Sequence, residues 1–243
     1  MEEWRYRELY ELEDRHWWFR SRRRVVHALL QRAELPPAPR ILDAGCGTGR
    51  NLVELESYGQ AEGVDFSAEA VEFCRLRGLQ RVQQASLEAL PFEASRFDLI
   101  VSTDVIEHVD DDGRALGELR RVAAPGGRLL VTVPAYSWLW SRHDESLHHR
   151  RRYTAARLSR RMEEAGWGPR VTTYFFTALL PGVAAVRAFR RGEGNGGGRS
   201  DLGLTSPRVG RLLELPSRGE ARLIAKGMSL PAGVSLGMVA EAA

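Results

Sequence analysis

The segment 41–49 constrains the fold more than any other part of the chain. A short apolar run, Ile41-Leu42-Asp43-Ala44, leads directly into the glycine-rich sequence Gly45-Cys46-Gly47-Thr48-Gly49. An apolar run of this length before a glycine cluster predicts a buried strand followed by a tight turn. Glycines in such a turn let a ligand approach the backbone closely. We therefore expect an α/β fold with a ligand site at the carboxyl end of this strand.

Similar apolar runs alternate with helical patterns along the rest of the chain. Such alternation predicts a parallel sheet with right-handed crossovers. The predicted strands cover residues 40–44, 61–65, 81–84, 97–102, 128–133, 171–176 and 233–240. The predicted helices cover residues 2–33, 51–58, 68–77, 112–123 and 154–165. Ser67 and Thr154 stand where N-caps are expected.

The 243 residues fit one large domain with a substantial core. Residues 1–38 are expected to form an N-terminal helical cap, and residues 39–178 the core that carries the ligand site. An insertion or lid over residues 179–230, with a flexible glycine-rich run at 192–198, separates the sixth strand from the last strand, at 231–243. The whole chain is thus predicted to be a single domain.

The net charge of +3 conceals a segregation of charge along the chain. Residues 41–134 carry 9 Arg and 16 acids, whereas residues 135–243 carry 16 Arg, one Lys and 9 acids. Lys226 is the only lysine among the 35 Lys and Arg residues. Codon usage is one explanation for this excess of arginine. The segregation has a second candidate explanation, an anionic substrate or partner near the basic half.

The composition also bears on the cellular compartment. Two cysteines are too few for a disulfide scaffold, and the charged, aromatic start lacks the apolar core of a signal peptide. The longest apolar stretch, 175–186, contains Pro181 and is shorter than the roughly 20 residues that span a bilayer. We expect a cytoplasmic protein, with peripheral membrane contact as an option.

An acid follows the second predicted strand and indicates the kind of ligand. Asp65 lies 20 residues after Gly45, a spacing that suits a carboxylate binding both hydroxyls of a ribose. The glycines follow the pattern G-x-G-x-G rather than G-x-G-x-x-G, and Asp43 would repel a pyrophosphate. These features disfavour a nicotinamide dinucleotide and favour a nucleoside ligand with a positively charged end.

Five motifs in this order resemble the class I S-adenosylmethionine-dependent methyltransferases, and in particular the ubiquinone-biosynthesis type. They are LDAGCGTG (42–49), GVDFS (63–67), ASLEALPF (85–92), FDLIVSTDVIEHVDD (97–111) and PGGRLLVTVP (125–134). The resemblance implies a Rossmann-like, seven-stranded, mostly parallel sheet with helices on both faces and an antiparallel last strand. It also implies S-adenosylmethionine as cofactor and S-adenosylhomocysteine as product.

The resemblance further implies cofactor-binding positions. The glycine turn and the end of strand four would lie along the methionine part, Asp65 would bind the ribose and Phe66 would stack beside adenine. Many relatives have an Asp where this chain has Ser86, so Ser86 or the backbone of Leu87 would accept a hydrogen bond from the adenine amino group. The predicted cofactor-binding residues are Asp43, Gly45, Cys46, Gly47, Gly49, Asp65, Phe66, Ser86, Leu87, Ser102, Thr103, Asp104, His108 and Trp18.

The loop after the fifth strand holds the catalytic candidates. His143 with Asp144 could form a base with an orienting carboxylate, and His149 and Tyr153 are further candidates. The alternative is a solvated basic loop. The spacing of the histidines fits no standard metal site, and the leaving group of a sulfonium is neutral, so no metal is expected.

These observations predict methyl transfer to a small or amphiphilic metabolite, with O-methylation slightly favoured over N- or C-methylation. An RNA or protein methyltransferase would explain the basic half, and a cofactor-binding scaffold without turnover is a further alternative. A nucleic-acid substrate is disfavoured because no RNA-binding module is appended. The apolar segment 179–189, which ends in arginines, resembles either an interfacial helix or core packing. The chain is expected to act as a monomer or a homodimer.

Overall fold

A seven-stranded sheet forms the centre of the structure, a computed structural model that describes residues 3–190 and 206–243. Its strands are β1 (Arg40–Ala44), β2 (Gln60–Asp65), β3 (Val82–Gln84), β4 (Phe97–Thr103), β5 (Ala123–Pro134), β6 (Trp167–Phe175) and β7 (Ser235–Ala242). They lie in the order β3-β2-β1-β4-β5-β7-β6, and β7 is antiparallel to both of its neighbours. The predicted sheet, with its antiparallel last strand, is confirmed.

Helices pack on both faces of the sheet. They are α1 (Glu3–Leu12), α2 (Trp17–Leu30), α3 (Arg50–Leu55), α4 (Ala68–Leu76), α5 (Asp112–Val122), α6 (Arg142–Ser146), α7 (Ala155–Glu164), α8 (Leu180–Arg190) and α9 (Pro207–Ala225). Ser67 caps α4 and Thr154 caps α7, as predicted. One apolar cluster includes residues of α5 and α7, and a second includes residues of α2, α3 and α4.

The N-terminal segment differs from its prediction. Instead of one helix over residues 2–33, the structure has α1 and α2, separated at residues 13–16. Glu13 is buried in this break and bonds Thr48 and Arg77, and His16 starts α2 by accepting a hydrogen bond from the Trp18 N–H at 3.3 Å. The helical pattern continues through this point, but tertiary contacts of Glu13 interrupt it.

Three further segments depart from the sequence analysis. The strand β5 begins at Ala123, five residues earlier than predicted, because Ala123 already pairs with Phe97 of β4. The short helix α6 was not predicted; Ser141 and Asp144 form a reciprocal cap at its start. The strand β6 begins at Trp167, four residues earlier than predicted, and pairs with β7 through a register shift near Pro169.

The predicted insertion contains α8 and α9, while its glycine-rich run at 192–198 lies outside the described residues. Leu180 and Val183 of α8, with the preceding Leu179, pack against the second apolar cluster. Within the part of the chain that the structure describes, no helix combines the length and the apolar character needed to cross a bilayer.

Candidate active site

The glycine turn packs tightly against the segment that follows β4. The N–H groups of Gly45 and Cys46 donate to the Val64 carbonyl at 2.8 and 2.9 Å, and this holds the turn to the end of β2. Gly45 has φ +86°, and a Cβ there would lie 2.4 Å from a methyl group of Val105. Gly45 is therefore required both by its backbone conformation and by this close approach.

Asp65 ends β2 beside the glycine turn. Its carboxylate accepts hydrogen bonds from the Gly47 and Ser67 N–H groups, both at 2.9 Å. Burial raises the pKa of Asp65, and these backbone hydrogen bonds partly offset that effect. The next side chain, Phe66, is 77% exposed and leaves an aromatic face available for stacking. A carboxylate and an exposed ring in this arrangement can serve a ribose and a base.

Asp43, near the end of β1, is fully buried, and neither of its carboxylate oxygens has a hydrogen-bond partner among the described residues. Burial, with a smaller contribution from the charge of Asp65, raises the pKa of Asp43 to about 7. A buried acid of this kind is stabilised in its ionised form when a cation binds beside it.

The end of β4 contributes further polar groups. The Ser102 hydroxyl is buried without a hydrogen-bond partner among the described residues, and Thr103 accepts from the Asn51 amide at 2.9 Å. Asp104 has φ +56° and bonds both Arg22 and the Thr132 hydroxyl. Three acids, from the ends of β1, β2 and β4, thus lie at the carboxyl edge of the sheet.

Four other predicted cofactor residues are placed as follows. The Sγ atom of Cys46 lies 3.8 Å from that of Cys74 in the interior. The Ser86 hydroxyl accepts from the Glu88 N–H at 3.2 Å, and the Leu87 side chain is buried in the core. Trp18 stacks on Phe176 with 4.3 Å between ring centroids. The Leu87 side chain is thus a core residue, and only its backbone can meet a ligand.

The helix α1 supplies contacts to this site that sequence reasoning missed. Tyr6 hydrogen-bonds the Ser67 side chain, and burial together with the nearby charge of Asp65 raises the pKa of Tyr6 to about 12. Leu9 lies 3.9 Å from the position that a Cβ on Gly47 would occupy. Glu13 accepts from the Thr48 hydroxyl. The helix α1 therefore covers the glycine turn. A cap over residues 1–38 was expected, but none of these contact residues of α1 was predicted.

A second group of polar side chains centres on Asp144 in α6. This carboxylate is fully buried and accepts from His149 Nδ1 at 2.9 Å, Arg152 Nε at 2.7 Å and Arg187 Nη1 at 3.2 Å. Burial alone would raise the pKa of Asp144, but the hydrogen bonds from His149 and Arg152 outweigh it and hold the pKa well below its usual range. Asp144 therefore stays ionised and fixes the His149 ring.

His149 lies against the segment that follows β4. Its ring centroid is 4.7 Å from that of His108 in an edge-to-face contact. Burial and the proximity of His149 lower the pKa of His108 to about 4, so this ring is neutral at physiological pH. The predicted residues His108, Asp144 and His149 are thus brought together, and His149 is the histidine whose hydrogen bond to Asp144 orients its ring.

Tyr153 does not occupy the catalytic position that we predicted. Its side chain is fully buried in the core, and its hydroxyl donates to Asp112 at 2.8 Å. Burial and the Asp112 carboxylate raise the pKa of Tyr153 far above its usual range. Tyr153 therefore anchors α5, while His143 lies in the first turn of α6.

Glu107 was not among the predicted site residues, yet it borders this group. It is fully buried, and burial together with the charge of Asp104 raises the pKa of Glu107 well above its usual range. One atom each from Glu107, His108 and His149 lie within 4.8 Å of one another, so these side chains could hold a metal ion. The motif Glu107-His108 follows β4 directly, which is the signal that could have identified Glu107.

The sheet order and the acids at its carboxyl edge define a Rossmann-like domain for a cationic nucleoside cofactor. Residues 42–131 match the family described as "Methyltransferase domain". The malonyl-[acyl-carrier protein] O-methyltransferase of Enterobacter lignolyticus is 30% identical over 203 residues, which cover 78% of this chain and 79% of that protein.

A bovine relative described as "Probable tRNA methyltransferase 9B" is 33% identical over 141 residues, 55% of this chain. The match spans only 29% of that relative's length. A solved Thermotoga maritima structure, described as an S-adenosylmethionine-dependent methyltransferase and possible histamine N-methyltransferase, has a TM-score of 0.61 at 20% identity, covering 98% of this chain and 95% of its own. This chain belongs to the class I S-adenosylmethionine-dependent methyltransferases.

Proposed function

We propose that the chain transfers a methyl group from S-adenosylmethionine to a small or amphiphilic acceptor, with a hydroxyl oxygen favoured over nitrogen or carbon. The single observation that carries this proposal is the contact of His149 with the ionised Asp144, beside the segment that follows β4. An imidazole held in this way can accept a proton as an acceptor oxygen becomes methylated. The relative named as an O-methyltransferase supports the choice of oxygen.

The residues at the sheet edge fit the proposed cofactor. The ammonium and sulfonium charges suit two carboxylates: that of Asp43, which has no hydrogen-bond partner among the described residues, and that of Asp104. Asp65 would bind the ribose hydroxyls, and the exposed ring of Phe66 would stack on adenine. The close packing of Gly45 on Val105 keeps the turn backbone near the ligand.

When bound, the cofactor supplies an electrophilic methyl group whose carbon–sulfur bond breaks as the acceptor attacks, leaving a neutral thioether. The protein must then position the acceptor in line and remove its proton where it has one. His149 Nδ1 is engaged by Asp144, so Nε2 is the nitrogen that accepts a proton. Arg152 and Arg187 keep Asp144 ionised, so this carboxylate can hold the His149 ring in a fixed orientation.

Radiolabelled methyl transfer into a fractionated lysate tests the acceptor class. With wild type we expect label in the small-molecule or lipid pool. The substitution His149→Gln should reduce this labelling at least about 100-fold, the usual contribution of a general base. His148→Gln is the matched control, because His148 adjoins His149 in the chain and is exposed. Label confined to RNA or protein would refute the acceptor class.

Calorimetric titration of S-adenosylmethionine separates binding from transfer. Asp65→Asn should weaken binding at least about tenfold, whereas His149→Gln should bind as wild type does. Tight binding without transfer to any pool would instead identify a scaffold. We expect chelation with EDTA to leave transfer unchanged; loss of activity that a divalent ion restores would assign a metal to Glu107, His108 and His149.

A further inference from the structure

The helix α9 buries three polar residues beside its apolar Ala221 and Ile224, and it turns two leucines outward. Glu214, Ser217 and Glu220 are buried, at 3%, 3% and 8% exposure. Leu212 and Leu215 face outward and are 66% and 58% exposed. A surface helix of a soluble domain normally turns its apolar stripe to the core. The outward position of these leucines therefore calls for an environment that receives them.

The inward polar residues are each held by specific partners. Glu214 accepts hydrogen bonds from Arg24 and Arg218, both at 3.0 Å. Ser217 donates to Ser21 of α2 at 2.7 Å, and Glu220 accepts from the Phe176 N–H at 2.6 Å. These contacts fix the rotation of α9 about its axis. The packing of α9 therefore keeps the two leucines exposed, because turning the helix to bury them would break these contacts.

The outward face of this segment carries charges of one sign. Residues 208–228 are all described, and their exposed charged side chains are cations: Arg208, Arg211, Arg218, Arg222 and Lys226. The two acids of the segment, Glu214 and Glu220, are the buried ones. The exposed apolar residues also include Val209, Leu223 and Met228, at 45%, 39% and 50%. Leucines therefore lie among cations with no exposed acid.

An open groove runs between α2 and α9 beside this face. It has a volume of about 540 Å³, and Arg24, His27, Gln31, Arg218 and Arg222 contribute its polar lining. Arginine suits the bidentate recognition of phosphate oxygens. Glu214 offsets part of this charge through Arg24 and Arg218, and Glu54 contacts His27. The three arginines outnumber these two carboxylates, so the lining keeps a net positive charge.

We propose that the α9 face, defined as residues 208–228, binds the surface of an anionic phospholipid bilayer. The exposed leucines would enter the boundary between headgroups and acyl chains, and the arginines would contact lipid phosphates. The groove between α2 and α9 would hold one headgroup. A helix of this kind lies in the plane of the interface and does not cross the bilayer.

This surface is distinct from the 179–189 segment that the sequence suggested, because Leu179, Leu180 and Val183 pack inward. The mixture of leucines and cations without an exposed acid complements an anionic lipid surface better than a second copy of the same face, whose cations would repel one another. The proposal does not depend on methyl transfer, although it would bring the enzyme to amphiphilic acceptors.

Co-sedimentation with vesicles tests the proposal on the full chain. We expect at least about tenfold stronger partitioning to vesicles of equal parts phosphatidylglycerol and phosphatidylcholine than to phosphatidylcholine alone, with a steep decrease as salt is raised. Leu212→Ser with Leu215→Ser should lower partitioning at least about tenfold, and so should Arg211→Ser with Arg222→Ser.

Matched controls come from exposed residues elsewhere. Leu76→Ser removes a leucine that is 71% exposed on α4, and Arg160→Ser removes an arginine whose side chain is 71% exposed on α7. Both should partition as wild type does. Circular dichroism confirms that each variant is folded. Equal binding to neutral vesicles, or controls that lose binding as strongly as the α9 variants, would overturn the proposal. So would wild-type binding by the leucine variant accompanied by a dimer-to-monomer change in light scattering.

Discussion

At the scale of single residues, two buried acids, Asp43 and Asp144, have opposite electrostatic environments. Asp43 is buried without a hydrogen-bond partner among the described residues, while Asp144 is buried with donors that include His149 and Arg152, so the pKa of the first is raised and that of the second is lowered. The sequence placed both residues near the site. It could not pair Asp144 with His149, because that contact depends on α6, whose five residues carry little helical pattern.

The pKa of Asp43, about 7, makes cofactor affinity depend on pH. A cation binds better to the ionised acid, so we expect S-adenosylmethionine to bind several-fold more tightly at pH 8 than at pH 6. Asp43→Asn should weaken binding and flatten this dependence relative to wild type. Calorimetric titration at both pH values measures the effect. An unchanged pH dependence in Asp43→Asn would contradict the assignment.

The ionisation of Asp43 affects folding stability with the opposite pH dependence, so stability decreases as pH rises. A carboxyl whose pKa is raised on folding contributes less stability as pH increases above its unfolded value of 3.8 towards about 7. Asp43→Asn should therefore be more stable than the unliganded wild type at pH 8, by roughly 2–4 kcal/mol, with little difference near pH 4. Urea denaturation at the two pH values measures it, and a difference that is larger at pH 4 would refute it.

At the scale of elements, strands were easier to predict than the ends of helices. The apolar runs of β1 and β4 are buried nearly throughout, so hydrophobicity located them. The break between α1 and α2 was missed because it depends on Glu13 reaching Thr48 and Arg77, which are distant in sequence. The register shift between β6 and β7 could not be predicted from the sequence either, since β7 comes about 60 residues after β6.

The contacts of Glu13 predict how firmly α1 is held. Glu13→Ala leaves Arg77 and Thr48 without their buried acceptor. The free energy that holds α1 against the rest of the domain should decrease on the order of 1–3 kcal/mol. We expect several-fold faster trypsin cleavage after Arg7 or Arg15. Glu11→Ala, an exposed position on the same helix, is the control and should be cleaved as slowly as wild type. Equal rates in all three proteins would show that Glu13 does not secure α1.

At the scale of the whole molecule, the two ends of the chain meet on the sheet. The antiparallel strand β7 inserts between β5 and β6, and α2 packs directly on it, with Leu29 only 2.7 Å from where a Cβ on Gly237 would lie. The charge segregation seen in the sequence has a partial structural account. Arg152 and Arg187 bond Asp144, and Arg151 and Arg161 pair with Asp112, while the cations of the α9 face point outward.

The close approach of α2 and β7 gives a stability prediction. Gly237→Val should cost about 1–3 kcal/mol, since Leu29 must move within a packed core. Leu29→Ala in the same protein should make the valine substitution less costly, so that the two effects are not additive. Chemical denaturation of the wild type, both single variants and the double variant measures the coupling. Additive losses would contradict the proposed contact.

The carboxylate of Asp144 has a consequence for how this sequence can diverge. It faces two arginines from different segments, Arg152 and Arg187, so a neutral residue at position 144 would leave two guanidinium groups facing each other inside the protein. Either arginine can be replaced with the carboxylate still neutralised by the other. We therefore expect positions 144, 152 and 187 to covary among descendants of this sequence, with position 144 changing last.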